Sequence, residues 1–283
     1  MSKKVYTIVY SAEKGQSLAQ QFLASIRGFH DGHDLGKRLF IRDTKAQYRQ
    51  SVLGLLWVLI MPIAQTLVWV FLSKGGVLNV DDTGVPYPLF VLSGIMLWRV
   101  FVEAVNAPLM MFNASKGMMS KINFPKEALL ITAFYKVLFN LAVNLVVLLP
   151  LFIYYDLSFG WSMVVGLMAL LPIILLGMTL GILITPFGAL FNDVGRIVGT
   201  GLQLFFFLTP IIYPTPKEGF IALLTTYNPA AITILTARDL FFGQWRGLDL
   251  NYVLFIVAVL VILIPALVLY RISLPIIIER SGS

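Results

Sequence analysis

The feature that most constrains this chain is a basic stretch that runs directly into a long uncharged segment. Four basic residues share one narrow stripe when residues 38–49 are helical. They are Arg38, Arg42, Lys45 and Arg49. After Gln50 the chain reads SVLGLLWVLIMPIAQTLVWVFL, and no charged residue occurs before Lys74. Because about 20 apolar residues in a helix cross a bilayer core, this segment predicts a membrane span, and the positive charge beside it predicts a cytoplasmic amino-terminal side.

A low content of charged residues extends this prediction to the whole chain. Of the 283 residues, 58% are hydrophobic and 12% are charged, whereas a soluble domain carries about 25% charged residues. The net charge of +7 does not favour nucleic-acid binding, because 15 of the 21 Lys and Arg residues fall in segments predicted to be cytoplasmic. The chain has no cysteine, so it offers neither a disulfide nor a thiolate metal site. These properties predict a multi-pass membrane protein.

The uncharged segments predict an all-α membrane protein with six spans. The spans are expected at about 52–73, 87–112, 127–155, 161–187, 197–213 and 250–270. Four regions follow in chain order: a loosely structured lead-in (1–33), an amphipathic interface helix (34–50), the membrane domain (51–275) and a tail (276–283). An even number of spans places both termini in the cytoplasm.

Residues 214–242 are too polar for a span and too apolar for an ordinary loop. Asn228 followed by Pro229 is typical of a helix N-cap with proline at the first helical position. The helix that begins there and ends near Phe242 is about 14 residues, or roughly 21 Å, which is too short to cross a bilayer. Two short helices that dip back into the outer leaflet are therefore predicted. Irregular backbone at that depth must be buried in protein or line a water-filled cavity.

The sequence offers no catalytic motif. It lacks the phosphate loop GxxxxGK[ST], the zinc motif HExxH, the GxSxG nucleophile and a dinucleotide fingerprint. His30 and His33 lie in a charged segment, where a solvated turn is favoured over metal binding. No catalytic residue, metal ligand or cofactor is assigned to this chain. If ATP drives transport, a separate chain must hydrolyse it.

Three charged residues are predicted within the spans, where such side chains are costly. Glu103 and Lys136 lie about 13 Å from the inner ends of adjacent spans, and Arg99 precedes Glu103 by one helical turn. We therefore predict an Arg99–Glu103–Lys136 cluster. It serves either as a structural pin between two helices or as a polar lining for an anionic or hydroxyl-rich substrate.

Several aromatic residues allow two interpretations. Trp residues near span ends ordinarily form interfacial belts, and deeper Phe residues ordinarily pack in the protein or face lipid. An aromatic corridor would instead suit sugars, whose apolar ring faces stack on aromatic rings. The candidates for such a lining are Trp57, Phe101, Phe205 and Phe206.

Four stretches of the sequence carry a family resemblance. The first two are RDTKAQYRQSVLGLLWVLIMPI at 42–63 and KINFPKEALL at 121–130. The others are FNDVGRIVGTGLQLFFFLTPIIYP at 191–214 and YNPAAITILTARDLFFG at 227–243. Together they resemble the membrane subunits of type-2 ABC exporters, above all the branch that exports O-antigen and teichoic-acid polysaccharides. The resemblance covers about residues 31–275; Arg99 and residues 1–30 have no expected counterpart.

The resemblance implies a homodimer in the bacterial inner membrane that encloses a channel for a lipid-linked polysaccharide. Two copies of an ABC ATPase would bind ATP and Mg²⁺ and act on the 34–50 helix and on a coupling helix at 113–126. The implied coupling residues are Arg38, Arg42, Lys45, Arg49, Lys116, Lys121 and Asp193. The 214–242 helices would form an outer gate, with the implied gate residues Pro210, Tyr213, Asn228, Pro229 and Arg238. Besides these partners, only membrane lipids are expected, and no nucleic acid.

Two other functions remain open from the residues, and a third is disfavoured. A type-2 exporter of drugs or small lipids has the same composition. A membrane enzyme acting on lipid-linked sugars would need an acid or histidine near a membrane face, for which Glu103, Asp156 and Asp193 are the candidates. A proton-coupled carrier would need a titrating relay through the spans, which the chain does not offer.

Overall fold

The computed structural model describes residues 17–49, 52–76, 83–119, 121–157, 160–216, 218–243 and 250–282. Within these ranges the chain forms ten helices and no strand. In chain order they are α1 (Leu18–Arg49), α2 (Leu56–Lys74), α3 (Tyr87–Met119), α4 (Glu127–Tyr154), α5 (Trp161–Met168), α6 (Leu170–Leu190), α7 (Asn192–Leu208), α8 (Phe220–Tyr227), α9 (Pro229–Phe241) and α10 (Leu250–Gly282). The predicted all-α fold is confirmed.

Five helical segments are long and apolar enough to cross a membrane, which confirms a multi-pass membrane protein. They are Leu56–Lys74, Tyr87–Met119, Glu127–Tyr154, Met163–Leu190 and Tyr252–Glu279. A sixth is possible if α8 and α9, which are bent by 84° at Asn228, count as one broken span. The predicted fifth span is not among the five: α7 has 17 residues and begins and ends five residues before the predicted 197–213.

The amino-terminal prediction was wrong in one respect. The interface helix was expected to begin at residue 34 after a loose lead-in, but α1 begins at Leu18. A helix with three glycines is weak in isolation, so its own sequence does not reveal it. Gly28, Gly32 and Gly36 lie on one face and pack closely against the start of α4, and this packing stabilises the helix. Residues 1–16 of the lead-in lie outside the described residues.

The predicted coupling helix at 113–126 is not a separate helix. Residues 113–119 continue α3, and residues 122–125 have no regular structure. Pro125 explains the break, because a proline pushes the residue before it, Phe124, toward extended backbone. At the other end of the chain, α10 continues through most of the predicted tail to Gly282.

Helix α3 is the centre of the fold, packed against α2, α4, α6, α7 and α9. Helix α6 approaches it closely because Gly177 and Gly181 face α3; a Cβ atom on Gly177 would lie 2.9 Å from the Phe101 carbonyl oxygen. By contrast, α2 and α7 bury few or none of their side chains. Small residues thus allow the central helices to pack closely, while the apolar helices α2 and α7 lie at the surface of the protein.

Candidate functional site

Asn228 caps α9 and ties it to the preceding segment. Its Oδ1 accepts hydrogen bonds from the backbone N–H groups of Ala230 and Ala231, at 3.0 and 3.3 Å. Its Nδ2 donates to the Thr209 hydroxyl at 2.9 Å, and Pro229 occupies the first helical turn. The predicted N-cap at Asn228 is confirmed, and the same side chain joins α9 to the end of α7.

The segment Thr209–Tyr213 is irregular, and two side chains and one close backbone approach hold it against the rest of the chain. Tyr87 donates its hydroxyl to the Ile212 carbonyl at 3.0 Å. Arg238 donates from Nη1 to the Ile211 carbonyl at 3.3 Å. Gly94 of α3 lies directly against Ile211, where a side chain would not fit. Because the segment has no helical hydrogen-bonding pattern, these contacts fix its position.

Arg238 is buried to 4% exposure although it carries a charge. Its guanidinium carbon lies 3.8 Å from the centre of the Phe90 ring, a cation–π arrangement. A buried cation is costly unless it is paired, and here a ring face and a backbone carbonyl serve as partners. Tyr87, Phe90, Ile211, Asn228 and Arg238 are called the outer cluster below.

The structure brings most of the predicted gate residues together. Asn228, Pro229 and Arg238 belong to the outer cluster or adjoin it, and Pro210 is buried beside Ile211. Tyr213 differs, because its hydroxyl donates to the Phe207 carbonyl at 2.8 Å in a more exposed position. The sequence-based prediction missed Tyr87 and Phe90. Their spacing with Gly94 along one face of α3 was the available signal.

The predicted charged cluster within the spans is present, but with a different bonding partner. Asn140, one turn beyond Lys136 on α4, donates a hydrogen bond to the Glu103 carboxylate. Lys136 and Arg99 lie close enough for their charges to act on Glu103. No ion pair within 4.0 Å joins either of them to Glu103 in the described part of the chain. Glu103 thus contacts α4 through Asn140, and the role of the charged cluster stays a prediction.

The carboxyl-terminal end of α1 lies near this cluster. The Tyr48 ring packs beside Phe139 with 6.5 Å between ring centres. Burial raises the pKa of the Tyr48 phenol, and the negative charge of Glu103 raises it further. The polar cluster is therefore shared by α1, α3 and α4.

The four aromatic candidates separate into two groups. Phe101 is buried in the core, and Phe206 packs edge-on against Trp98 with 6.0 Å between ring centres. Phe205 and Trp57 are about half exposed, at 49% and 50%. Of these four candidates, Phe205 and Trp57 are the ones whose rings are exposed to a corridor or to lipid.

The predicted coupling residues lie mostly on the surface. The four basic residues of the α1 stripe are all exposed, and so is Lys121, while Lys116 is half-buried. Asp193 is exposed at the start of α7, where Arg196 lies 3.6 Å away. These charges are available to a partner, but the structure does not gather them into one cluster.

An ion pair that the sequence-based prediction missed, between a buried carboxylate and a half-buried guanidinium, joins α4 to α10. Arg271 donates from Nη1 to the Glu127 carboxylate at 2.6 Å and to the Ala24 carbonyl of α1 at 3.1 Å. Glu127 is 2% exposed, and Gly28 of α1 leaves room for its carboxylate. Tyr270 donates its hydroxyl to the Lys126 carbonyl at 3.4 Å. These residues are called the inner junction below.

Comparison with known proteins identifies the family. The ABC-2 type transporter family matches residues 35–242, which is most of the chain. The chain belongs to the ABC-2 type transporter family. The match includes the end of α1, the central helices and the outer cluster, and it ends before α10. The family recognition made from the four sequence stretches is confirmed.

Similar curated proteins agree with this family. Two proteins of Klebsiella pneumoniae named O-antigen export system permease protein RfbA are each 29% identical to this chain. The matches cover 75% and 76% of this chain and 80% and 83% of the relatives. A protein of the same name from Myxococcus xanthus is 28% identical over 80% of this chain and 86% of its own length.

The family membership confirms two predictions about function. The chain is the membrane-embedded permease subunit of an ABC transporter rather than an enzyme. Its family implies an ATPase in a partner chain. In the part of the chain that the structure describes, no group of three or more His, Asp or Glu side chains could hold a metal ion.

Proposed function

We propose that two copies of this chain form a channel in the bacterial inner membrane that exports a lipid-linked polysaccharide of the O-antigen or teichoic-acid kind. One observation carries the proposal: the relatives named as O-antigen export permeases match over at least three quarters of this chain. ATP and Mg²⁺ are bound by two copies of a separate ATPase, which supplies the energy. The exposed rings of Phe205 and Trp57 suit a corridor for sugars.

The proposed topology has six crossings with both termini in the cytoplasm. Helix α7 provides the fifth crossing, since its 17 residues span about 25 Å, close to the hydrocarbon thickness. The bent pair α8 and α9 then dips into the outer leaflet and returns. The burial of the Thr209–Ile212 backbone within the protein supports this, because irregular backbone at membrane depth must be shielded from lipid.

Cysteine labelling tests this topology in a chain that has no native cysteine. A Glu218→Cys variant is expected to react with a membrane-impermeant maleimide in intact spheroplasts, because Glu218 is exposed and follows the fifth crossing. Asn113→Cys, exposed near the inner end of α3, is the control and is expected to react only after permeabilisation. Labelling of Glu218→Cys only after permeabilisation would mean that α8 and α9 cross the membrane instead.

Two copies account for the apolar surfaces that one chain leaves uncovered. Helices α2 and α7 are apolar and bury few or none of their side chains in the described residues. A second copy and surrounding lipid together can cover these faces. In this arrangement the channel runs between the two copies.

The basic stripe of α1, with Lys116, Lys121 and Asp193, is proposed to dock the ATPase. Reversing two stripe charges (Arg38→Glu with Arg42→Glu) is expected to lower the ATPase that co-purifies by roughly tenfold, because each exposed ion pair contributes up to about 1 kcal/mol. Lys74→Glu, exposed at the other end of α2, is the matched control and should leave co-purification unchanged. Equal loss in both variants would indicate a general charge effect and remove the docking assignment.

A deletion strain tests the exported substrate. Loss of this chain is expected to stop display of the polysaccharide on the cell surface and to leave the lipid-linked polymer in the cytoplasm; the intact gene should restore display. Normal display together with a new sensitivity to drugs would favour a type-2 exporter of small molecules.

A further inference from the structure

The inner junction joins the three elements that surround the 121–126 segment. Glu127 is the first residue of α4 and directly follows that segment. Arg271 reaches it from α10 and also bonds the Ala24 carbonyl of α1, so one guanidinium bridges two helices. Tyr270, also on α10, bonds the carbonyl of Lys126, the last residue of the segment. The segment is thus fastened from two sides.

Close packing extends the fastening along α1. Gly28 lies against the Glu127 carboxylate, and the next glycine on the same face, Gly32, lies against Ala128. A Cβ atom on Gly36 would lie 2.8 Å from the Ala128 carbonyl oxygen. Since even a methyl group would not fit without a shift, α1 and the start of α4 have little freedom to slide past each other. Protein interiors packed in this way transmit displacement rather than absorb it.

The charge pattern adds a reason to treat Glu127 and Arg271 as more than packing. A carboxylate at 2% exposure is costly to bury without a partner. An apolar pair would fill the same space but would not orient the three helices. The guanidinium orients them because its Nη1 donates one hydrogen bond to Glu127 and another to the Ala24 carbonyl. Removing Arg271 leaves the Glu127 carboxylate buried without its cation, whereas removing Glu127 leaves a half-buried guanidinium that still bonds the Ala24 carbonyl.

We propose that Glu127 and Arg271 are positioning residues that make the 121–126 segment, α1 and the inner end of α10 move as one body. The inference rests on the proposed function, in which the ATPase acts on this segment. When the ATPase displaces the segment, the basic docking helix α1 and the last span, α10, then move with it. Without the ion pair, the segment moves alone and ATP hydrolysis is uncoupled from export.

Substitution of Glu127 tests the coupling. In cells, Glu127→Gln is expected to lower surface polysaccharide at least tenfold. The purified complex with the ATPase is expected to keep its ATPase activity per assembled complex. Asp31→Asn is the matched control, because Asp31 is an exposed carboxylate on α1 paired only with its neighbour His30; it should change neither quantity. A fall in export that merely follows the amount of assembled complex would show a structural role only and overturn the proposal.

A disulfide lock tests the single-body movement independently. In the cysteine-free chain, Gly32→Cys with Ala128→Cys would start with two Cβ atoms 3.2 Å apart, slightly closer than disulfides require, so α1 and α4 must shift apart a little for the bond to form. Oxidation is expected to preserve export, because α1 and α4 do not move relative to each other. Export that stops on oxidation and returns on reduction would contradict the proposal. Should the reduced double variant not assemble, Glu127→Gln and the milder Tyr270→Phe decide the question.

Export by wild-type cells distinguishes a failure of the proposed function from a failure of the inner-junction proposal. If wild-type cells display no exported polysaccharide that depends on this chain, the proposed function fails. If they do, but Glu127→Gln exports normally per assembled complex, only the inner-junction proposal fails.

Discussion

The substitution Gly181→Val is expected to prevent the protein from accumulating in folded form. Gly181 of α6 faces α3, where a Cβ atom would press on the Val105 carbonyl oxygen and lie 2.9 Å from two ring carbons of Pro108. Both obstacles belong to the helix at the centre of the fold, so neither side can yield without separating α3 from α6. Overpacking a core ordinarily costs about 1–3 kcal/mol, and contact with a rigid helix backbone places this change at or beyond the upper end.

The measurement is the monodisperse fraction after detergent extraction, followed by size-exclusion chromatography of a fluorescent fusion. Gly201→Ala is the control, since a Cβ atom there meets nothing within 4 Å and alanine favours a helix by up to about 1 kcal/mol. A normal yield for Gly181→Val would mean that α3 and α6 do not pack as described.

Replacing Arg238 with methionine is expected to lower thermal stability and reduce export at least tenfold. The Ile211 carbonyl loses its buried donor, which costs about 1–3 kcal/mol, and the Phe90 ring loses its cation, worth about 2 kcal/mol when desolvated. The irregular Thr209–Tyr213 segment then keeps the Tyr87, Asn228 and Gly94 contacts to the rest of the fold. Because that segment is proposed to border the outer mouth, its displacement should impair passage of the polymer.

One further variant separates the two contacts of Arg238, and a second serves as a control. Phe90→Leu removes the ring and keeps the hydrogen bond to Ile211, so it should have roughly half the effect on the melting temperature. Asp34→Asn, at an exposed position on α1, should change nothing. If Arg238→Met is as stable as the wild type, the buried cation does not hold the segment, and the outer cluster loses its main support.

The positions of the central helices follow from charge and hydropathy alone. The segments that became α3 and α4 begin at the predicted residues, because uncharged stretches of this length have few alternatives in a bilayer. Asn228 was recognisable as a cap because its side-chain oxygen accepts hydrogen bonds from backbone N–H groups two and three residues ahead, which is a local need. Where the rule is local in sequence, the prediction agreed with the structure.

Three of the misses depend on partners distant in the sequence. Helix α1 begins 16 residues early because glycines that look unfavourable in isolation face α4. Glu103 bonds Asn140 because a neutral amide on the adjacent helix reaches it, a pairing that a search for opposite charges does not find. The Glu127–Arg271 pair joins positions 144 residues apart. Its helices each carry other charges, so nothing in the sequence selects these two.

The central claim is that this chain transports its substrate only when it is assembled with an ATPase. Proteoliposomes containing this chain and its ATPase partner, loaded with a lipid-linked polysaccharide in the outer leaflet, test it directly. Addition of ATP and Mg²⁺ is expected to move the sugar chains into the lumen, where an added glycosidase no longer reaches them. Vesicles with this chain alone should show no movement. Protection of the polysaccharide in those vesicles, or none in the complete system, would contradict the account.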